Sequence, residues 1–256
     1  MVQALRAKRK RQTRRLIEQP FEGGYYDGDI KLDVVPAITA FYPKRPKSFR
    51  FSVSAVGGEG IMTETYEPKY EIGDLLYVRE PWRTFASFDS TCEDHMPKNL
   101  LAGGRGAGIR YEAGGGLSIG KEPGREFLRD EDERDMAPYG KFRQAMHMPR
   151  VVSRLTLVVD GVYIERLNEI TDTDCIAEGI EPVYDDRSPG ETLWKDYEVY
   201  PDGTPHAHSV VPFVEPHDSY KSLWEKLHGK GSWAKNPFIV AYSFTVLEGN
   251  IDRLYP

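Results

Sequence analysis

The sequence predicts an α+β fold, mostly β and barrel-like, with a few short helices and two long loop-rich insertions. Three observations carry that prediction. Runs of β-branched and aromatic residues bounded by turn residues outnumber the helical patterns. The helical patterns themselves are short. The chain also holds 24 Gly and 18 Pro among 256 residues, which implies many turns and long connections.

In chain order, residues 2–9 read as a short helix with Val2, Leu5 and the stem of Arg9 on one face. Residues 49–56 alternate as a strand, with Phe49, Phe51, Val53 and Ala55 sharing one side. Leu75 to Val78 is a second strand. Leu155–Val159 and Val162–Leu167 read as two strands joined by a tight hairpin at Asp160-Gly161, the type of dipeptide such turns prefer. Thr171 to Asp174 supplies an N-cap and acidic first turn for a two-turn helix that Gly179 ends. Residues 219–228 form the clearest amphipathic helix (Tyr220, Leu223, Trp224 and Leu227 at helical spacing), and Gly229 stops it. Phe238 to Leu247 is the last strand. The expected organisation is one domain over 1–256, with core segments 1–82, 139–180 and 217–250. Insertions at 83–138 and 181–216 interrupt it, each longer than an ordinary loop.

The bulk composition is 39% apolar and 29% charged, ordinary for a chain that buries a core. No apolar run approaches the roughly 20 residues that span a bilayer. The charged N-terminus has no apolar segment behind it, so neither membrane association nor a secretory signal is expected. Cys92 and Cys175 are the only cysteines, far apart and without a CxxC pair. That favours a reducing, cytoplasmic compartment and no structural zinc. Asp202, His206 and His208 have ligand-like spacing but no third histidine nearby, so no metal or other cofactor is expected. The glycines from Gly103 to Gly108 lack the Gly-Lys-Ser/Thr ending of a phosphate loop and read as a flexible loop. The acid-rich run from Glu126 to Asp135 reads as a solvated face, with self-shielding of the basic block as a sharper alternative.

Against this background one segment stands out. Seven of the ten residues from Arg6 to Arg15 are basic, in a chain of net charge −6. A cationic block inside an acidic chain is a local device for meeting phosphates. Gln12 and Thr13 interrupt it with an amide and a hydroxyl, groups suited to reading or reacting.

The run from Ala4 to Arg15, ending Lys10-Arg11-Gln12-Thr13-Arg14-Arg15, resembles the opening of ASCH domains, which share the PUA-like barrel. Further similarities follow in the same order. They are Tyr70 to Trp82 (Gly73-Asp74, then Val78-Arg79-Glu80 and Trp82), His147-Met148-Pro149-Arg150 leading to Leu155, Ile170 to Ile180 with its Ala-Glu-Gly, and Ser222-Leu223-Trp224 with Trp233 and Asn236-Pro237. The resemblance is to the phage and prophage branch of the family and lies outside both insertions. One departure is Lys8, which stands where the family usually has glycine before its basic pair.

The resemblance implies a PUA-like barrel that binds RNA, another nucleic acid, or a modified base or nucleotide in a cationic cleft beside the first helix. Arg14, Arg15, Arg79, Arg150 and Arg154 would meet phosphates, and Trp82 would stack on a base or else plug the barrel. Arg79 and Glu80 are adjacent in a strand, so they point to opposite faces and only one can line the cleft. The alternative implication is an amidohydrolase that removes the acyl group from a modified pyrimidine nucleoside such as N4-acetylcytidine. Lys10, Thr13 and Glu178 would be its catalytic residues: a base, a nucleophile and a proton shuttle. A third reading is a protein-interaction module of a phage or mobile element, acting in a host cytoplasm. His147 reads as structural.

Overall fold

The computed structural model describes residues 1–17, 30–33, 51–57, 60–66, 68–90, 107–119, 126–127, 139–184, 190–198 and 212–255. It is mixed α+β with antiparallel strand pairs and few short helices. The strands are β1 (Gln12–Leu16), β2 (Ile30–Asp33), β3 (Phe51–Gly57), β4 (Gly60–Tyr66), β5 (Leu75–Tyr77), β6 (Trp82–Arg83), β7 (Ala107–Tyr111), β8 (Gly116–Ile119), β9 (Glu126–Phe127), β10 (Leu155–Arg166), β11 (Pro182–Val183), β12 (Leu193–Trp194) and β13 (Phe238–Glu248). The helices are α1 (Val2–Arg6), α2 (Asp172–Ala177), α3 (Pro216–His228) and α4 (Ile251–Leu254). The sheet orders among the described residues are β1-β13-β10-β5, β2-β3-β4, β6-β7-β8-β9 and β11-β12, each open rather than closed on itself.

The chain divides into two compact units, the first made of Met1–Ala7, Leu75–Val158 and Thr245–Pro256, the second of Lys8–Asp74 and Val159–Phe244. In the first unit, residues 78–84 alternate: Val78, Glu80, Trp82 and Thr84 are buried while Arg79 is exposed. Trp82 joins Ile109, Tyr111, Met148 and Val152 in a core. The stretch expected to be a loop-rich insertion thus contributes much of a four-stranded sheet and part of this core.

In the second unit, β1 pairs with β13 in the register Gln12↔Ser243 to Leu16↔Ile239. Ile170, Cys175, Tyr220, Trp224 and Ile239 belong to its core. Thr171 caps α2 by accepting from the Asp174 backbone N–H, as the sequence predicts. Gly179, at φ +88°, takes the left-handed conformation that ends the helix. Helix α3 starts three residues earlier than predicted, at Pro216, whose missing N–H costs nothing in a first turn.

Two expectations are corrected. Asp160-Gly161 is not a hairpin: β10 runs unbroken from Leu155 to Arg166. Gly161 sits in this strand because a Cβ there would collide with the Ser243 and Tyr163 side chains; close approach, not turn geometry, explains the glycine. Leu227 is exposed rather than on the buried face of α3. That face instead buries Ser219 and Ser222, whose hydroxyls donate to the carbonyls of Lys195 and Ser219.

Candidate functional site

The basic opening segment is no free tail. Helix α1 ends at Ala7, and Lys8 turns the chain with φ +55°. This is the left-handed region that glycine adopts without penalty, at the very position where the ASCH resemblance has glycine. Beyond it the chain is strapped along the C-terminal end of α2. The Arg11 backbone N–H donates to the Ala177 carbonyl at 2.7 Å, and Arg9 Nη1 donates to the Ile180 carbonyl at 3.3 Å.

Lys10 meets Glu178 here. Its Nζ donates to the Glu178 carbonyl at 2.6 Å and to the carboxylate Oε2 at 3.0 Å. The other carboxylate oxygen, Oε1, accepts from Arg14 Nη1 at 3.2 Å. Arg14 in turn donates through Nε to Glu165 Oε1 at 2.9 Å, and its Nη2 lies 2.8 Å from the same oxygen. Nη1 also reaches Gln12 Oε1 at 3.1 Å, while Gln12 Nε2 donates to Asp174 Oδ1 at 2.9 Å. The result is a network of two cations (Lys10, Arg14) and three carboxylates (Glu165, Asp174, Glu178), tied by one amide.

Its electrostatics follow from burial. The Arg14 side chain is 1% exposed and that of Glu178 5%. Burial works against the Arg14 charge, but the carboxylates of Glu178 and Glu165 outweigh it, and the guanidinium pKa is raised. Burial likewise works against the Asp174 charge, but hydrogen bonds from Thr171 and Gln12, with the Arg14 charge, hold its carboxyl below the usual value. Burial pushes the Cys175 thiol up to about 12, so it stays protonated and non-nucleophilic near neutrality. Tyr220 is raised well above the ordinary phenol value by burial and then by Glu178, so it faces the network as a neutral phenol.

Of the three residues expected to be catalytic, Lys10 and Glu178 are brought together and Thr13 is not part of the network. Side chains alternate along a strand, and in β1 the face carrying Gln12 and Arg14 is the one turned to the acids. Thr13 projects to the other face, with Arg15. Arg15 is exposed and, secondary to burial, its charge lowers the His228 pKa.

The residues expected to contact nucleic acid are used in several ways. Arg14 is consumed by the network just described. Arg154 is buried in the first unit, bonded to Glu80 through Nε–Oε1 and Nη2–Oε2, both at 2.8 Å, with its guanidinium carbon 4.0 Å from the centre of the Tyr111 ring. Trp82 is 1% exposed, with the Arg143 guanidinium 5.2 Å from its ring centre. It is a core plug, and its ring offers no face to a base. Arg79 is exposed, donating to Tyr77 Oη and the Met146 carbonyl. Arg150 is exposed and paired with Asp252 at 2.8 Å. His147 is exposed at the end of a 3-10 turn.

Gln12, Glu165 and Asp174 are the network members that sequence reasoning missed. A signal existed for one of them: Asp174 and Glu178 are four apart, hence on one face of α2, a paired acidic face suited to a basic strand. Glu165 gave no such sign. Asp202, His206 and His208 lie outside the described residues, as do residues 103–106 of the glycine cluster and 128–135 of the acidic run. Among the described residues no group of three or more His, Cys, Asp or Glu is placed to hold a metal ion, and no helix is long and apolar enough to cross a membrane. Comparison with protein-family models, with curated proteins and with solved structures returned no match.

Proposed function

We propose that the chain is a PUA-like ASCH protein that binds RNA, or a modified base or nucleotide within it, along its basic opening segment. The observation that carries this reading is the strap itself. Backbone and side-chain bonds to Ala177, Glu178 and Ile180 hold residues 9–11 in place, while Lys8, Arg11 and Arg15 remain exposed. An ordered row of exposed cations meets a polyanion with less ordering cost than a loose tail. The left-handed Lys8 adds support, since it takes a conformation that glycine favours at the position where the resembled family usually has glycine.

Within the segment the roles divide. The inner network carries three carboxylates against two cations, which disfavours a phosphate there, so phosphate contacts fall to Lys8, Arg11 and Arg15. Lys10 and Glu178 present a donor beside an acceptor, the combination that reads the edge of a base. Lys10 has three N–H donors, and its two bonds to Glu178 leave one for a ligand.

Fluorescence anisotropy with a labelled 12-nucleotide single-stranded RNA, across a salt series, tests the reading. Affinity is expected to fall with salt, and Arg11→Ala and Arg15→Ala should each reduce the slope of log K against log salt by about 0.7. No binding by the wild-type chain, or binding indifferent to both substitutions, ends it.

A second reading is hydrolysis of an acylated pyrimidine nucleoside, with the N4 amide of N4-acetylcytidine cleaved by water to acetate and cytidine. It is favoured by one contact, Lys10 to Glu178 at 3.0 Å, and weakened by the position of Thr13 on the opposite face of β1. Acetate release from N4-acetylcytidine that disappears in Lys10→Ala would establish it, and no release at all removes it.

A further inference from the structure

The network is enclosed at its centre and more open at its ends. Arg14 is the most enclosed member and Glu178 next, while the Lys10 side chain is 12% exposed and those of Glu165 and Asp174 are 25% and 27% exposed. Glu165 accepts from one edge of the Arg14 guanidinium, through Nε and Nη2. Gln12, itself tied to Asp174, accepts from Nη1. A planar guanidinium gripped at two edges has no rotational freedom left. The same Nη1 meets Oε1 of Glu178 and leaves Oε2 turned to Lys10.

We infer that Arg14 is a positioning residue: by holding one oxygen of Glu178 it fixes the plane of the carboxylate, and so keeps the second, equivalent oxygen beside Lys10. The inference rests on the proposed base-reading role of the Lys10–Glu178 pair. Arg14 touches no ligand in this arrangement. Its influence passes through one carboxylate, as an outer hydrogen-bond partner orients a group that makes the direct contact. Lysine at position 14 keeps the charge but not the fork: a single ammonium cannot span Glu165 Oε1, Gln12 Oε1 and Glu178 Oε1 in one plane.

The experiment uses the full chain and four 12-nucleotide RNAs, oligo-A, oligo-C, oligo-G and oligo-U, each measured by anisotropy at two salt concentrations. The wild-type chain should prefer one base, and Lys10→Ala and Glu178→Gln should each erase the preference. Arg14→Lys should shrink it by about tenfold, the value of a good base-edge contact, with the salt slope unchanged because Arg14 reaches no phosphate. In a Glu178→Gln background Arg14→Lys should add nothing, since the carboxylate it orients is gone. Gln12→Ala, a milder change that frees one edge of the guanidinium, should act in the same direction and guards against a poorly folded Arg14 variant.

An Arg14→Lys effect that persists in the Glu178→Gln background, or that weakens all four RNAs equally, marks Arg14 as scaffold only and overturns the inference. A base preference that survives Lys10→Ala overturns the base-reading role and the inference with it. That result is distinct, because it appears before Arg14 is altered.

Discussion

Each unit of the molecule buries an arginine against a glutamate, and the two pairs are built differently. In the first unit Arg154 and Glu80 form a closed fork: two parallel bonds of 2.8 Å, both partners enclosed, and the Tyr111 ring packed on the guanidinium. Each carboxylate oxygen of Glu80 takes one of the two fork bonds. In the second unit Arg14 is shared among Glu165, Glu178 and Gln12, and Glu178 is shared again with Lys10 at a less enclosed end. An enclosed fork of this kind holds elements together. An unbalanced chain of pairs that ends near solvent keeps hydrogen-bonding capacity for something else. Perturbed charges gathered in that way are candidates for function on physical grounds.

The comparison is broken or sharpened most directly at the sealed pair. Removing one partner by Glu80→Ala or Arg154→Ala leaves an uncompensated buried charge or its desolvated remnant and should cost about 3–5 kcal/mol. Replacing both, as in E80L with R154M, should recover most of that loss in urea unfolding, because a closed pair is exchangeable for packing. A double variant no better than the singles would show that the fork does more than fill and neutralise.

Next in size is Glu178→Gln, which keeps the shape but removes the charge between Lys10 and Arg14. A stability loss of about 1–3 kcal/mol is expected, together with lost base preference. If stability falls while ligand preference stays, the two arginine–glutamate pairs are of one kind and the contrast fails.

A smaller effect of opposite sign is expected at the turn into the strap. Lys8 holds φ +55°, which costs an L-residue about 1–2 kcal/mol relative to glycine. The greater freedom of glycine in the unfolded chain offsets part of that gain. Lys8→Gly should therefore raise stability by about 0.5–1 kcal/mol, read as a higher urea midpoint. A fall would mean the Lys8 side chain makes a contact that outweighs its backbone.

The smallest effect lies in the acid range. Asp174 is held below its ordinary value of 3.8, so the unfolded chain takes up this proton first as pH falls. Its contribution to stability is full above the unfolded value and lost as pH drops through the lower folded value. Urea unfolding of Asp174→Asn from pH 5 down to pH 2 should lose less stability than the wild type below pH 4. Parallel curves would remove Asp174 from the network's energetics.

Much of the local architecture is legible in the residues. The Thr171 cap, the Gly179 and Gly229 stops and the long strand opening at Phe238 are decided within a few neighbours. So is the opposite placement of Arg79 and Glu80, since alternation along an extended chain is a property of the backbone. The Asp160-Gly161 pair misled because the same dipeptide suits a turn or a close crossing of side chains. Only the Ser243 and Tyr163 side chains, supplied by the folded structure, choose between them.

Sequence alone determined that this chain alternates strands with short helices and concentrates positive charge in one opening segment, because composition and short-range periodicity act over a few residues. Which of those charges face outward was decided by tertiary structure. Arg14 and Arg15 are neighbours of the same type, yet one is sealed against acids and the other exposed. The two glutamates that hold Arg14 lie 151 and 164 residues away, and an ion pair depends on distance in space, which no local pattern encodes.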